Sequence, residues 1–431
     1  MQKKSLLLFA IMVMLPFILP ACTNNTLHTA VRAPLPANLL VSGDHTVEHA
    51  EPFLAVNPRN PHNLLGAAWV YPMPGLSVVH MGTFVSFDGG HSWHDNGVLP
   101  LPAGFDDTAA ETVIFTPAGT GFVVAVGRQG HEDDAPAAII VWRTNDGGRS
   151  FNPPLAFARG SSYDQSWAAV DTTHGPGKGN IYLAWQDHCR VVFSTSIDGG
   201  QSFSPARVIS SPVDHCPTFP LIAVGPSSLV HVVYADGPTP IAVKVTTSTN
   251  EGQSFDAPRI VPAGASGAAA VKSRFELTSS LAAATDLRSG RLYVAFATAQ
   301  TSTQHLDVIL TSSADNGQTW STPVRVNGLT NQDDHFQPQL AVAPDGSVNV
   351  SYFTLSHGLV SLFLASSTTH GQTFQHNQQI TNASWDPARG DNRGFVGERQ
   401  GLAIGNGSAY LTWNDGRNGP LQIFTAMMPL V

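Results

Sequence analysis

The chain has 431 residues, with 22 Lys and Arg against 31 Asp and Glu and a formal net charge of −9. No Lys/Arg cluster stands anywhere in it, so the electrostatic footprint of a nucleic-acid binder is missing. Charged residues make up 12%, well under the usual share of about 25%, while 39 Gly and 31 Pro beside 42% hydrophobic residues describe a turn-rich chain able to build a core.

The N-terminus carries Lys3 and Lys4, then the apolar run LLLFAIMVMLPFILP, then Leu19-Pro20-Ala21-Cys22. The run is short for a membrane span and has the layout of a signal peptide. LPAC resembles the lipobox of bacterial lipoproteins, with Pro20 where that pattern has a small residue. The resemblance implies removal of residues 1–21, lipidation of Cys22 and an extracytoplasmic, membrane-anchored protein; ordinary secretion is the alternative. Loss of residues 1–21 takes away two lysines and no acid, giving 20 − 31 = −11. Residues 22–36 read as a tether and 37–431 as a single domain.

From there on, short runs rich in Val, Ile, Tyr, Phe and Thr, bounded by Gly, Pro, Asn and Asp, predict strands and nothing else. First strands read EPFLAVNP (51–58), DQSWAAVD (164–171), FPLIAVGP (219–226) and QPQLAVAP (337–344). Second strands follow as NLLGAAWV, NIYLAWQD, LVHVVYAD and SVNVSYFT, and third strands as AAIIVWRT, RVVFSTS, AVKVTTS and VSLFLASS. Each third strand ends in one recurring string: SFDGGHSW (86–93), TNDGGRSF (144–151), SIDGGQSF (196–203), STNEGQSF (248–255), SADNGQTW (313–320) and STTHGQTF (367–374). The third residues of these strings lie 58, 52, 52, 65 and 54 residues apart, a period that means propeller blades. In the string, Asp accepts hydrogen bonds from the turn backbone, Gly supplies a positive φ, and the closing aromatic packs between sheets. Residues 401–428 give three more strands and stop, so a seventh blade needs its outer strand from around Asn38 to Val41, the usual way a propeller ring closes. The expected fold is an all-β seven-bladed propeller, with six blades as the alternative.

Cys189 and Cys216 stand in matching strings, Asp187-His188-Cys189 and Asp214-His215-Cys216. An even pair in an oxidising compartment predicts a disulfide. A His/Cys metal site is the other reading, and it lacks the close ligand spacing of zinc motifs. No cofactor or metal is expected.

The string Ser-x-Asp-x-Gly-x-Ser/Thr-Trp/Phe resembles the Asp-box of sialidase-like propellers, with Asn250 and Thr369 in place of Asp in two copies. That resemblance covers most of the chain after the leader. It implies that the boxes are structural and lie on the face away from the ligand, where loops entering first strands and leaving second strands would form the site. Those loops hold Glu51, Asp107, Asp164, Asp214, His215, Asp334, His335, Glu398 and Arg399, then Asp187, His188 and Arg417. By analogy with sialidases, Arg274, Arg399 and Arg417 would grip a sugar carboxylate. Tyr352 would be the nucleophile, and a proton donor would come from Asp107, Glu276 or Glu398. The sialidase Arg-Ile-Pro string is absent, Arg32-Ala33-Pro34 being the nearest. Three functions stay open: a glycan-cleaving hydrolase of exo-α-sialidase type, a non-catalytic glycan- or protein-binding propeller, and an assembly scaffold. A monomer with a carbohydrate ligand and no nucleic acid is the expected state.

Overall fold

Each strand-turn-strand unit has too little apolar surface to bury by itself, and in the computed structural model the units stack around a ring. The structure describes residues 35–43, 47–71, 78–130, 132, 134–237, 241–262, 281–299, 305–328, 333–388 and 396–430. Seven four-stranded antiparallel sheets result. Their first strands are Glu48–Val56, Asp107–Phe115, Tyr163–Val170, Thr218–Gly225, Leu281–Thr285, Asp334–Val342 and Gly401–Gly405, one in each of blades 1 to 7. The one helical element among the described residues is a 3-10 turn at Pro226–Ser228. The seven-bladed expectation holds and the six-bladed alternative does not.

Blade 7 runs Gly401–Gly405, Ser408–Asp415, Gln422–Pro429, and its outer strand is Leu39–Leu40 from the other end of the chain. Val41 N–H extends the pairing by donating to Ile423 O at 2.9 Å. The Ser42 hydroxyl donates to Gln422 Oε1 at 2.5 Å, and Asn38 Nδ2 to Ile380 O of blade 6 at 2.9 Å. Leu39–Leu40 and Val41 thereby cover part of the Gln422–Pro429 edge at the seam.

Cores lie between adjacent sheets. Leu221, Val233 and Val245 of blade 4 interleave with Leu292, Val294 and Phe296 of blade 5, each fully buried side chain of this kind contributing about 1.5–3 kcal/mol. The aromatic that closes each turn enters the seam with the preceding blade: Phe151, Phe203, Phe255, Trp320 and Phe374 all pack there.

The recurring turns hold themselves together. Asp88 Oδ1 accepts from the Ser86 hydroxyl (2.8 Å) and Ser92 N–H (2.9 Å), and Oδ2 accepts from the Ser92 hydroxyl (2.5 Å). Asp146, Asp198 and Asp315 repeat this set. Hydrogen bonds led by the Thr319 hydroxyl hold the Asp315 carboxyl down at about 2. Asn250 keeps equivalent contacts, its Nδ2 donating to Ser254 Oγ at 2.8 Å, so the neutral amide does not loosen its turn. Thr369 serves the same three groups from one oxygen: its hydroxyl accepts from Thr373 N–H at 3.0 Å and meets the Ser367 and Thr373 hydroxyls at 3.2 and 2.9 Å. Gly200 shows why glycine recurs: its φ is +80° and a Cβ there would lie 2.5 Å from the Phe122 ring.

Candidate functional site

The first strands are not regular. In blades 1, 2, 3, 4 and 6 the register slips by one residue at the same level, between Ala50/Phe53, Ala109/Thr112, Asp164/Trp167, Thr218/Leu221 and Phe336/Gln339. Each slip is a β-bulge with a non-glycine residue in the left-handed region: Glu51 (φ 53°), Ala110 (52°), Gln165 (49°), Phe219 (51°) and Gln337 (53°). Such residues cost of order 1–3 kcal/mol each and gather where a side chain has to be re-aimed. Here they form a collar of strain around the channel.

At this collar three carboxyl groups from three blades meet one guanidinium. Glu51 (blade 1) and Glu111 (blade 2) are fully buried, at 1% and 0% exposure. Glu398 and Arg399 enter blade 7 just before its first strand. Glu51 Oε1 accepts from Glu398 N–H at 3.0 Å. Arg399 passes over blade 1 to reach the far side: Nη1 donates to Glu111 O (2.7 Å) and Ser166 O (3.2 Å), and Nη2 to Gln165 Oε1 (2.9 Å). Gln165 turns its Nε2 to Glu398 Oε2 at 2.8 Å. On the other side Gln400 Nε2 donates to Gln337 O at 2.6 Å. Two residues further along the same strands, Phe53 and Trp167 meet edge to face at 5.2 Å, and the Arg399 guanidinium lies 5.9 Å from the Trp167 ring. The channel thus holds a polar layer on an aromatic floor.

Burial dominates the electrostatics. It pushes Glu111 up to about 8, against the pull of Arg399 and the Trp69 indole. It also drives Glu51 well above the carboxylate range, helped by the neighbouring Glu398 and Glu111 charges and opposed by Arg399. Glu111 is therefore held largely neutral around pH 7, and burial favours the neutral form of Glu51 in the same direction. The folded state binds more protons than the unfolded chain from about pH 4.5, the ordinary glutamate value, up to the raised values. Stability is accordingly expected to be full at pH 4.5 and to fall as pH rises toward 8. Glu111→Gln should flatten this decline, as read from urea unfolding at pH 5, 6.5 and 8; an identical slope in the variant would show that Glu111 does not cause it.

Of the residues picked from the sequence, Glu398 and Arg399 meet at the collar, with Glu51 beside them. The other residues lie away from the collar. Tyr352 is fully buried between blades, its hydroxyl donating to Asn377 Oδ1 of the outer strand at 2.7 Å; burial raises its pKa, and it faces no channel. Asp107 accepts from Val79 N–H of blade 1 at 2.6 Å and is 3% exposed; Asp334 does the same for Leu306 N–H of blade 5 at 2.9 Å. Both acids clasp neighbouring blades. Arg417 is held by Asp415 through Nε (2.9 Å) and Nη2 (2.6 Å), donates to Asn382 Oδ1 and Ala383 O beyond the last strand of blade 6 and to Asn38 Oδ1 (3.3 Å) beside the closing strand, and lies over Phe424, so it ties blade 7 to both. His335 is buried, kept neutral by burial, and bonded through Nδ1 to the Thr354 hydroxyl at 2.9 Å.

The remaining picks sit on the rim of blades 2 to 4. Asp164 pairs with Arg128 at 3.3 Å. Asp187 pairs with His188 at 2.7 Å and Arg190 at 3.1 Å. Buried Asp214 and Asp236 share Lys244 at 2.6 and 2.7 Å, and Asp236 also caps the backbone N–H of His215 and Cys216. Cys189 and Cys216 are joined by a disulfide, Cα atoms 4.1 Å apart, between the loop leaving the second strand of blade 3 and the loop entering blade 4. Arg274, Glu276 and Cys22 lie outside the described residues. The sequence reading passed over Glu111, Gln165, Gln337 and Gln400. Their signal is positional: each stands two to four residues before the conserved-length apolar stretch of a first strand, the place Glu51 holds before Leu54-Ala55-Val56.

No known family model matches the chain, and no curated protein matches it in sequence. Solved structures do. A protein of unknown function from Dyadobacter fermentans superposes with a TM-score of 0.56 at 12% identity, over 92% of this chain and 99% of its own. An ulvan lyase of a new polysaccharide lyase family gives 0.56 at 11% identity, over 91% and 96%. The α-L-arabinofuranosidase of Fusarium graminearum, in complex with arabinobiose, gives 0.52 at 14% identity, over 74% and 92%. At such identities the likeness is one of fold, and the fold is one that carbohydrate-active enzymes use.

Proposed function

We propose that this is an extracytoplasmic propeller, held at the membrane through Cys22, that binds and cleaves glycans at the collar of its channel. The observation that carries the proposal is the convergence of Glu51, Glu111 and Glu398 from three blades on Arg399, with burial pushing Glu111 up to about 8 and Glu51 in the same direction. Glycosidic bond cleavage needs one carboxyl group that still holds its proton at working pH and a second able to act as base or nucleophile. In this reading Glu111 and Glu51 form the proton reservoir. Glu398, half-buried and oriented by Gln165, faces the sugar, and the half-buried Phe53, Trp69 and Trp167 give apolar ring faces for it to stack on. The glycan-acting enzymes among the structural neighbours support the substrate class. The finer sialidase assignment receives less support, because the donors of Arg399 and Arg417 are largely spent inside the protein and leave only Arg274 of the three expected grips.

A binding propeller without turnover is the second reading, favoured by one fact: Arg399 donates to two backbone carbonyls, as a strut would. Wild type and Glu398→Gln assayed on a panel of arabinan, ulvan, sialylated and simple aryl glycosides, with calorimetry on the same ligands, separate the two. Hydrolysis predicts turnover that falls about 10²- to 10⁴-fold in the variant with binding retained. Saturable binding without turnover selects the second reading, and neither property on any glycan removes both.

A further inference from the structure

The face opposite the channel mouth is built from the turns joining first to second strands and third to fourth strands. Between blades 5 and 6 these turns leave a cavity of about 590 Å³. Ser289 and Arg291 come from the first turn of blade 5, Ser312, Ser321 and Thr322 from the two ends of its third turn, and His370 from the turn of blade 6. Arg291 is half-buried, its Nη1 donates to the Ser312 hydroxyl at 3.2 Å, and no carboxylate pairs with it among the described residues. A guanidinium partly removed from water, without a counter-ion and beside hydroxyl groups, attracts an anion.

The repeat itself supplies the second observation. In the turns of blades 1, 2, 3 and 5 the third position is Asp88, Asp146, Asp198 or Asp315, each with its pKa lowered by the turn and hence ionised. In blade 6, where the cavity lies, that position is Thr369 and the next residue is His370. The turn carboxylate that four sister blades carry is missing from blade 6, across the cavity from the unpaired arginine. The other acids nearby are occupied: Asp286 is buried and accepts from the Ser289 hydroxyl and Arg288 N–H, Asp345, next to Gly346 against the His370 ring, accepts from Ser347 N–H at 2.8 Å, and Asp315 is held by its own turn through the Ser313 and Thr319 hydroxyls.

The same groove recurs between blades 2 and 3, with a volume of about 500 Å³ and a lining that includes Arg143, Lys178, Thr116 and Thr120. Arg143 occupies the position of Ser312, each directly before the opening residue of its turn (Thr144, Ser313), and its Nε is buried without a hydrogen-bond partner. There, however, the adjoining turn carries the ionised Asp198.

We propose that the blade 5–6 cavity is a second ligand site, separate from the channel, for a sugar unit bearing a tetrahedral oxyanion ester, sulfate or phosphate. Donors from several directions (Arg291, the His370 ring, the Ser321 and Thr322 hydroxyls) suit a tetrahedral anion better than a flat carboxylate, and the volume exceeds that of a bare ion. The site would hold a charged polymer while its neutral part is handled elsewhere, and it stands or falls independently of the channel reading.

Isothermal titration of the full chain with glucose 6-sulfate, glucose 6-phosphate and unmodified glucose tests it. Binding of at least one ester, with none of glucose, is expected, and the ester that binds identifies the oxyanion. Arg291→Ala should weaken that binding at least tenfold. Thr369→Asp, which installs the residue four sister turns already carry, should weaken it severalfold while leaving thermal stability unchanged or higher. Absence of heat with both esters, binding of glucose as strong as that of an ester, or unchanged affinity in Arg291→Ala would overturn the proposal.

Discussion

Arg399→Ala is expected to cost about 3–5 kcal/mol of stability at pH 8, the loss typical of breaking a buried charge network by removing one partner. The side chain is 5% exposed and serves three acceptors on blades 2 and 3 from a position on blade 7. Without it the carbonyls of Glu111 and Ser166 lose a charged donor, and Glu51 and Glu111 lose the one cation that opposes their protonation. At pH 5 Glu111 is neutral in any case and burial favours the neutral form of Glu51, so the penalty there should be smaller. The pH dependence is what distinguishes a charge network from a simple cavity, whose cost would be the same at both values. Urea unfolding at the two pH values measures it. Arg399→Lys should recover little, since one ammonium cannot span three acceptors set by a planar fork. A cost under about 1 kcal/mol at both pH values would mean the guanidinium is not a strut.

Removal of the closing strand should be nearly as damaging. A chain beginning at Gly43 lacks Leu39–Leu40, the Val41 N–H bond to Ile423 O, and the Ser42 and Asn38 contacts. Val41 packs with Ala68, Phe84 and Ile423, and its burial with that of Leu40 is worth about 1.5–3 kcal/mol each when complete. Set against the entropy of freeing a short segment, the net loss is on the order of 4 kcal/mol. The truncation also bares the backbone of Gln422–Pro429 as a sheet edge, so concentration-dependent association should accompany the loss. Sedimentation and thermal unfolding of the truncated chain check both parts; a stable monomer would show that the ring closes without its seam. Val41→Asp offers a milder version in the intact chain.

The fold was legible because a propeller writes its period into the sequence six times. Even the seam could be read, from three orphan strands at one end and one at the other. The channel was harder. Glu398 and Arg399 stood out as charges in a chain with few. Glu111 did not, because AAETVIF reads as an unbroken strand and the bulge that turns its carboxyl inward is a matter of register, which composition does not record. Tyr352 and Arg417 stand near strand ends, and distance from a strand end does not tell the channel side of a blade from the seam between blades. The partners that occupy them, Asn377 and Asp415, are decided by packing across sheets.

The aligned bulges have a consequence for how such a protein can change. Five blades carry the same backbone distortion at one height, whether the residue in the left-handed region is Glu, Ala, Gln or Phe. Scaffold and recognition surface are thereby decoupled: the kink is paid for by the blade, and the side chain it displays is open to replacement. The positions are not equally free: Ala110 is buried in the core between blades 2 and 3, so a larger side chain there would disturb that seam, whereas Phe219 is half-buried at the same height. Diversification within this architecture would be expected to proceed through positions of the second kind before it touched the seams.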